Sequence, residues 1–544
     1  PKPGTSMHRS PPCSTDELLW TIAAARLVLP PDVHLQAPPN LSDHLAPLVE
    51  AGIDDWGGVS PVTADHVNPE RAWPALGILR SATEAAGHTL APRLTLYPEF
   101  ALDPDRWLHD AMRFPVLDAS DAEGLGRDHP WCSGAGFPPP ELLGPVAVDR
   151  GAVGAPPVAT VATARGAVED VLAGVLDGNA VGEDEIVTLF GARGPEVRAV
   201  AAVADRLRHA AVGDEVTYVA NRNINYTNVC TFKCKFCAFS KGPLSLNLRG
   251  SPYLLELTEI SDRVREAEEH GATEVCLQGG IHPKFDGGYY LEVIKAVRQA
   301  SDTIHIHGFT ALEVTEGARR SGVPLADYLV LLRDAGLRTL PGTAAEILDD
   351  PVRAVLCPDK ISTDEWLFAH RTAHEVGLRS NVTIMFGAVE QPRSWARHLI
   401  RTRDLQRETG GFTEFVPLPF VHMATPIYLQ RRSRRGPTFR ETLLMHAVGR
   451  IAYRGAIDNI QVSWVKMGAE GVRQILRAGV NDLGGTLIDE NISRAAGAGH
   501  GQMMDAVGFR SIVTPLGRTL AQRTTLYGRV AGPSGQAEAL AAAH

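Results

Sequence analysis

Three cysteines lie close together near the middle of the chain, at Cys230, Cys234 and Cys237. Thiolates at this C-x3-C-x2-C spacing can bind three irons of a [4Fe-4S] cluster and leave the fourth iron open, whereas closed, electron-carrying clusters take four cysteines. An open iron can chelate a small molecule and pass it one electron. The spacing therefore predicts an iron-sulfur site that acts on a bound molecule.

A zinc site is the alternative for the same cysteines, with His270 or His282 as the nearest histidines in sequence to complete it. Zinc ligands usually come as two separated pairs. The other cysteines, at positions 13, 132, 276 and 357, are scattered and form no second C-x2-C pair. The ligand count thus favours a cluster over zinc.

The composition is that of a globular protein, with 544 residues, 44% hydrophobic and 21% charged, which is long enough for at least two domains. The sequence has no apolar run of ~18 residues and no signal-peptide pattern, so we expect a cytoplasmic protein with no membrane partner. The scattered cysteines do not form a disulfide framework, which fits a reducing compartment. A net charge of −10 argues against a nucleic-acid partner.

From Glu215 onward, short apolar runs alternate with helical patterns, which predicts an α/β fold built as a parallel barrel of the TIM type. The helices carry start signals such as the capping box Ser362-x-x-Glu365. We predict strands at residues 216–219, 274–278, 304–308, 337–340, 381–386, 413–417 and 459–464, and in a short run before Asp482.

The distinctive motifs each follow one of these predicted strands, and the cysteine loop follows the first. In a parallel barrel the loops after the strands open on one face, where active sites lie. For any single glycine or proline in these loops, a purely structural role is the alternative to a role in the active site, because turns need these residues. The hydrogen-bonding side chains that we expect on the open face are His305, His307, Glu346, Gln461 and Asn481.

Together, several motifs resemble one family of enzymes, the radical S-adenosylmethionine (SAM) proteins, and within it the tyrosine-using half of the FO synthase family. The resemblance covers residues 160 to about 525, and its main motifs are NRNINYTNVCTFKCKFCAF, LQGGIHP, HGFTALEV, PGTAAEI, NIQVSWVKMG and NDLGGTLIDENISRAAG. It implies a [4Fe-4S] cluster whose open iron binds SAM, and an external one-electron reductant that splits SAM to a 5′-deoxyadenosyl radical.

The resemblance also implies a reaction. The radical abstracts hydrogen from L-tyrosine, and the side chain leaves as a 4-hydroxybenzyl radical that adds to 5-amino-6-(D-ribitylamino)uracil. The product is a precursor of the deazaflavin FO, 7,8-didemethyl-8-hydroxy-5-deazariboflavin. Two other functions remain open at this point: an aminofutalosine-type radical SAM synthase of menaquinone assembly, which shares several of these motifs, and a non-catalytic iron-sulfur or zinc protein.

The resemblance assigns expected roles to individual residues. The glycine pair Gly279-Gly280 is similar to the pair that takes the SAM ammonium, and Gly387 with Glu390 matches the end of a G-x-I-x-G-x-x-E motif that lines the adenine. The carboxylates of Glu313 and Glu346, each at the C-terminal end of a predicted strand, are candidates to bind the SAM ribose or the substrate amine. The alternative for each is a helix cap or an ion pair with a neighbouring arginine. The expected metal ligands are Cys230, Cys234 and Cys237, the cofactor-binding residues are Phe236, Gly279, Gly280, Glu313, Gly387 and Glu390, and the catalytic residues are His307 and Glu346.

An internal repeat indicates a second, related domain. Residues 48–58 align without gaps to residues 475–485, and Gln36 upstream corresponds to Gln461. Only the second copy follows a cysteine loop. The N-terminal 130 residues resemble the end of the other, cyclising half of fused two-domain FO synthases, but without its cluster loop. That resemblance implies no cyclising lyase activity in this chain and a possible need for a separate cyclising enzyme. The predicted domains are 1–133, the remnant of a first radical SAM barrel that lacks its cluster loop; 134–166, a linker; 167–212, a helical cap; 213–525, a complete radical SAM barrel; and 526–544, a tail.

Overall fold

The structure is a computed structural model, and it describes residues 4–60, 62–144, 166–242 and 251–530. Most of the predicted linker, residues 145–165, and most of the predicted tail, residues 531–544, lie outside these ranges. Two compact units are present. The smaller comprises Pro1–Thr95 with Arg193–Pro195, and the larger comprises Leu96–Ala192 with Glu196–His544.

The larger unit is a parallel α/β barrel, as the sequence predicts. Its strands form a six-stranded parallel sheet in the order β2 to β7 and a three-stranded parallel sheet in the order β8-β1-β9. Parallel bridges from Phe415 to Ile460 and from Gln461 to Asp482 link β7 to β8. The strands are β1 Glu215–Val219, β2 Asn221–Asn225, β3 Glu274–Gln278, β4 His305–Gly308, β5 Thr339–Leu340, β6 Arg379–Phe386, β7 Phe412–Pro419, β8 Asp482–Gly485 and β9 Thr519–Gln522.

The first six predicted strands have observed counterparts, but the last two differ. The predicted strand at 459–464 is reduced to the bridge residues Ile460 and Gln461, because helix α19, Trp464–Leu476, begins there. The indole nitrogen of Trp464 donates to the Gly485 carbonyl at 3.0 Å, a long-range contact that the alternating sequence pattern does not reveal. The last predicted strand corresponds to β8, which begins at Asp482 instead of ending before it.

Within the larger unit, helices alternate with most of the barrel strands along the chain. Ser362 caps α15 through the predicted capping box, in which its hydroxyl accepts from the Glu365 N–H and the Glu365 carboxylate accepts in return. No helix in the described part of the chain is long and apolar enough to cross a membrane. The helices are α1 Thr15–Val28, α2 Ala46–Glu50, α3 Leu76–Ala85, α4 Pro98–Leu102, α5 Pro104–Trp107, α6 Asp110–Ala119, α7 Ala167–Leu176, α8 Glu183–Phe190, α9 Pro195–Val212, α10 Leu257–Glu269, α11 Gly287–Ala300, α12 Ala311–Ser321, α13 Leu325–Ala335, α14 Asp350–Leu356, α15 Thr363–Glu375, α16 Pro392–Thr409, α17 Pro426–Leu429, α18 Phe439–Ala452, α19 Trp464–Leu476, α20 Ile492–Ala496 and α21 Ala506–Val513.

The segment 118–144, which we call the strap, packs on the barrel unit near the start of α18. Arg440 donates to the carboxylates of Asp121 and Glu123 at 3.2 and 2.9 Å. The ring of Trp131 meets Phe439 edge-on, with centroids 5.2 Å apart. The strap therefore belongs to the larger compact unit, while the domain bounds predicted from the sequence stay a prediction.

The internal repeat predicted from the sequence recurs as a matched set of contacts. In each copy the glutamine and aspartate form a parallel bridge, and the aspartate accepts the N–H of a positive-φ glycine two residues later at 2.7 Å. In each copy an arginine also donates to that aspartate, which extends the repeat to the pattern L-A-x-R-x-T-L-Y at residues 90–97 and 520–527. The matched residues are Gln36 with Gln461, Asp55 with Asp482, Gly57 with Gly484 and Arg93 with Arg523. The interpretation of residues 1–133 as a barrel remnant stays a prediction.

Candidate active site

Two adjoining cavities lie at and beneath the open face of the barrel. The cluster-side cavity is lined by the cysteine loop, the glycine pair, Glu346 and Lys360. The barrel-floor cavity is lined by side chains that point inward from the strands, among them His307 and Arg523. Of the described residues, six line both cavities and form what we call the neck: Gln278, Thr343, Leu418, Lys466, Ile492 and Ser493.

The three motif cysteines share the wall of the cluster-side cavity. Backbone hydrogen bonds fix their loop: the Asp359 carboxylate accepts from the Lys233 N–H at 3.0 Å, and the Leu356 carbonyl accepts from the Lys235 N–H at 2.8 Å. Burial raises the pKa of the Cys234 and Cys237 thiols above its ordinary value. A bound cation would therefore have to supply the attraction that holds these groups as thiolates.

The donor set fits an iron-sulfur cluster. Among the described residues, no three His, Cys, Asp or Glu side chains converge as a single metal ion requires. A cubane makes a different demand, because each thiolate binds a separate iron. Of the histidines named as a fourth zinc ligand, His270 has its Nδ1 2.8 Å from the Glu266 carbonyl, and His282 packs on the ring of Phe285.

Beside the cysteine loop lies a buried ion pair, Lys360 with Glu346, whose Nζ and Oε1 atoms are 2.6 Å apart. The Lys360 ammonium also lies 5.5 Å from the centroid of the Phe236 ring. Burial alone would lower the pKa of Lys360, but the Glu346 carboxylate outweighs that effect and raises the pKa above its ordinary value. Glu346 therefore enters the cavity as half of a neutralised pair.

The glycine pair is required by close approach of neighbouring groups. A Cβ atom at Gly279 would lie 2.3 Å from the Tyr226 ring, and one at Gly280 would lie 2.2 Å from the Val229 carbonyl oxygen. The Gly279 N–H donates to the Glu313 carboxylate at 3.2 Å. A side chain at Gly279 would clash with the Tyr226 ring, and one at Gly280 would push the strand end away from the start of the cysteine loop.

Three of the predicted cofactor-binding residues lie outside both cavity linings, in the described part of the chain. Glu313 is buried and accepts from Tyr226, from the Thr310 N–H at 2.7 Å and from Gly279, and burial raises its pKa. Gly387, at φ +97°, and Glu390 form one turn, in which the carboxylate accepts three successive backbone N–H groups. These contacts give each residue a role in shaping the backbone. The contact of these residues with SAM stays a prediction.

The barrel-floor cavity is strongly polar. His307 and His305 both approach the hydroxyl of Thr339, at 2.7 and 2.8 Å, but only His307 lines the cavity. Burial lowers the pKa of His307 and lowers that of His305 to about 4, so both rings are neutral near pH 7. The floor also carries Glu274, Asn381, Glu414, Gln461, Arg523 and Thr525.

Two lysines at the site were not assigned a role by the sequence analysis. Lys360 and Lys466 line the cluster-side cavity, although lysine occurs at only eight positions in this arginine-rich chain. The rarity of lysine was the signal that the sequence offered for both residues. Asn481 shows the opposite outcome: its side chain is buried against Arg450 and the Ile460 N–H and lines neither cavity.

Two protein families match the chain. Residues 224–400 match the radical SAM superfamily, and residues 409–528 match a family described as the CofH/MqnC C-terminal region. Among solved structures, the FeFe-hydrogenase maturase HydG from Carboxydothermus hydrogenoformans is similar with a TM-score of 0.52 and 16% sequence identity, over 66% of this chain and 80% of that one. That likeness concerns the fold alone.

Two relatives are similar over long stretches. The chain is 44% identical to the FO synthase of Nocardia farcinica over 573 residues, which covers 97% of this chain and 65% of that protein. It is 47% identical to the 5-amino-6-(D-ribitylamino)uracil–L-tyrosine 4-hydroxyphenyl transferase of Methanocaldococcus jannaschii over 327 residues, which covers 60% of this chain and 90% of that protein. The chain thus spans about two thirds of an FO synthase and nearly all of the transferase.

Proposed function

The chain belongs to the radical SAM family of the 5-amino-6-(D-ribitylamino)uracil–L-tyrosine 4-hydroxyphenyl transferase, and on that premise we propose that it moves the 4-hydroxybenzyl group of L-tyrosine onto 5-amino-6-(D-ribitylamino)uracil in FO biosynthesis. The observation that carries the proposal is the 47% identity over 90% of that transferase. The two joined cavities support it, because the reaction needs a site for the radical source and a site for the acceptor.

The radical SAM superfamily takes a [4Fe-4S] cluster and SAM as cofactors. When bound, these supply the 5′-deoxyadenosyl radical after one electron arrives from an external reductant. Cys230, Cys234 and Cys237 are the residues that would hold the cluster, and Phe236 with the glycine pair would face SAM. Glu313, Gly387 and Glu390 are proposed to hold the backbone that faces SAM, since their carboxylates and turns already bind that backbone.

We assign the barrel-floor cavity to the ribitylaminouracil. A ribityl chain presents several hydroxyl groups, and a pyrimidine ring presents amide-like donors and acceptors. The floor offers matching partners in His307, Asn381, Glu414 and Thr525. The more apolar cluster-side cavity, which includes Phe236 and Met385, excludes water and stray hydrogen donors from a reactive radical.

The proposal predicts which product this chain makes and which product it does not make alone. Anaerobically reconstituted, reduced protein given SAM, L-tyrosine and 5-amino-6-(D-ribitylamino)uracil is expected to consume tyrosine and to yield the hydroxybenzyl adduct, detected by mass spectrometry. Because the cysteine loop occurs once, the finished deazaflavin is expected only when a separate cyclising enzyme is added. SAM cleavage without tyrosine consumption would contradict the transferase function, and it is also the result expected of a menaquinone-pathway enzyme.

His307 is predicted to hydrogen-bond the acceptor as a neutral imidazole. His307→Gln is expected to lower tyrosine consumption at least tenfold, equal to ~1.4 kcal/mol in the barrier, while slow uncoupled SAM cleavage persists. His305→Gln is a matched control, because His305 contacts the same Thr339 hydroxyl but lies outside the cavity lining. Equal losses in the two variants would assign the effect to packing around Thr339 and remove His307 from the site.

A further inference from the structure

Lys466 carries a positive charge at the neck between the two cavities without an acidic partner. Its Nζ atom donates to the Ser493 hydroxyl at 3.0 Å and lies 3.4 Å from the Ser463 hydroxyl. No carboxylate in the described part of the chain forms an ion pair with it. The other lysine and arginine side chains that line the two cavities, among the described residues, are neutralised, since Lys360 pairs with Glu346, and Arg523 pairs with Asp482 and Glu414.

The position of Lys466 is fixed by the strap and by the helix that carries it. Its carbonyl oxygen accepts from the Gly134 N–H at 2.8 Å, and its N–H donates to the Ser463 carbonyl at 3.1 Å. The first turn of α19 ends two residues later, at Gly468, which has φ +64° and interrupts the helix. The side chain therefore projects from a short, anchored turn into the neck.

The surroundings of Lys466 disfavour the charged form of its amino group. Burial lowers the pKa of Lys466 below its ordinary value, and the more distant Glu490 opposes that effect only in part. Glu490 itself is occupied with the backbone N–H groups of Ser493 and Arg494. A partly buried cation that meets two hydroxyl groups, and no ion-pair partner among the described residues, is stabilised when an anionic ligand arrives.

We infer that Lys466 binds the carboxylate of the amino-acid substrate, which places that substrate across the neck. The inference rests on the proposed transferase function. Of its two substrates only L-tyrosine presents a carboxylate group, which is ionised at neutral pH, whereas the ribitylaminouracil has none. The neck is also where a molecule must lie to meet a radical formed on the cluster side and an acceptor held on the floor.

In this role Lys466 is a substrate-binding residue, and the hydroxyl groups of Ser493 and Ser463 hold its ammonium group in place. A carboxylate at Lys466 leaves the phenol end of tyrosine free to lie among the apolar side chains of Leu418 and Ile492, which also line the neck. The same contact would retain the carboxylate fragment while the hydroxybenzyl group transfers. A change at Lys466 should therefore alter binding of the amino acid without altering the cluster.

The test measures binding without turnover. Unreduced, cluster-loaded protein with SAM is dialysed to equilibrium against L-tyrosine, against tyramine, which lacks the carboxylate, and against 4-hydroxyphenylpropanoate, which lacks the amine. Wild-type protein is expected to bind L-tyrosine at least tenfold more tightly than tyramine. In Lys466→Met this preference should fall to near unity, binding of 4-hydroxyphenylpropanoate should be lost, and the iron content and cluster absorption spectrum should remain unchanged.

Lys466→Arg keeps the charge, and we expect it to retain most of the preference for tyrosine, which guards against a folding defect in the methionine variant. An unchanged preference in a cluster-loaded Lys466→Met protein would overturn the inference and leave the transferase function standing. Equal binding of tyrosine and tyramine by wild-type protein would overturn it as well. Failure of wild-type protein both to bind and to consume tyrosine would instead overturn the proposed function, and this inference with it.

Discussion

Replacement of any one of the three loop cysteines by alanine is expected to abolish reductive cleavage of SAM. Anaerobically reconstituted wild-type protein should hold about four irons per chain, as one cubane requires. In Cys230→Ala, Cys234→Ala or Cys237→Ala a single lost thiolate leaves the cluster with two protein ligands. We expect the yield of 5′-deoxyadenosine to fall by at least about 10³-fold, equal to about 4 kcal/mol in the barrier.

Cys357→Ala is the matched control for the loop variants. Cys357 is 2% exposed and packs in the small apolar cluster that also contacts Cys234 and Phe236, yet it lies outside the motif. Its loss removes one buried sulfur and should cost only about 1 kcal/mol of stability. Full iron content and SAM cleavage are expected in this variant. Cleavage retained by a loop variant, or lost in Cys357→Ala, would show that the ligand assignment is wrong.

The barrel could be predicted from sequence because its signals are local. Alternating apolar runs and helical patterns mark the strands, and Ser362 and Glu365 mark the start of α15. The seventh strand could not be predicted in the same way, since residues 459–464 alternate like a strand but lose that structure at Trp464. The Trp464 indole instead donates to a carbonyl 21 residues later in the chain, and that choice depends on tertiary packing.

In the candidate site, too, the features with local sequence signals could be predicted and those that depend on tertiary packing could not. The three cysteines share one loop, so their spacing in the sequence is enough to indicate a cluster. The remaining roles depend on which side chains meet across the barrel. Glu346 and Lys360, which are 14 residues apart, form a buried pair, and the Glu313 carboxylate faces Tyr226 and Gly279 outside the cavity linings. Lys466 gains its importance from the absence of an ion-pair partner among the described residues, which no spacing rule reveals.

Replacement of Arg523, the last matched residue of the second repeat copy, is expected to lower the stability of the protein by a large amount. Arg523 is 4% exposed, and its guanidinium donates to Asp482 at 2.5 and 3.0 Å and to Glu414 at 3.2 Å. These contacts outweigh the effect of burial and raise the pKa of Arg523 well above its ordinary value. Arg523→Met would leave two buried carboxylates without their cation. We expect it to lower the free energy of unfolding by about 3–5 kcal/mol, measured by urea unfolding.

The matching arginine in the smaller unit is an internal comparison. Arg93 donates to Asp55 at 2.8 Å, but its side chain is 22% exposed, so water can replace part of what Arg93→Met removes. We expect a smaller loss, and hydrogen exchange should locate it in residues 35–95, whereas Arg523→Met should deprotect the barrel. Adding Glu414→Gln to Arg523→Met should restore part of the stability, because one uncompensated charge is removed. If that second change lowers the stability further, lost packing and not unpaired charge causes the effect, and the ion network contributes less than its burial indicates.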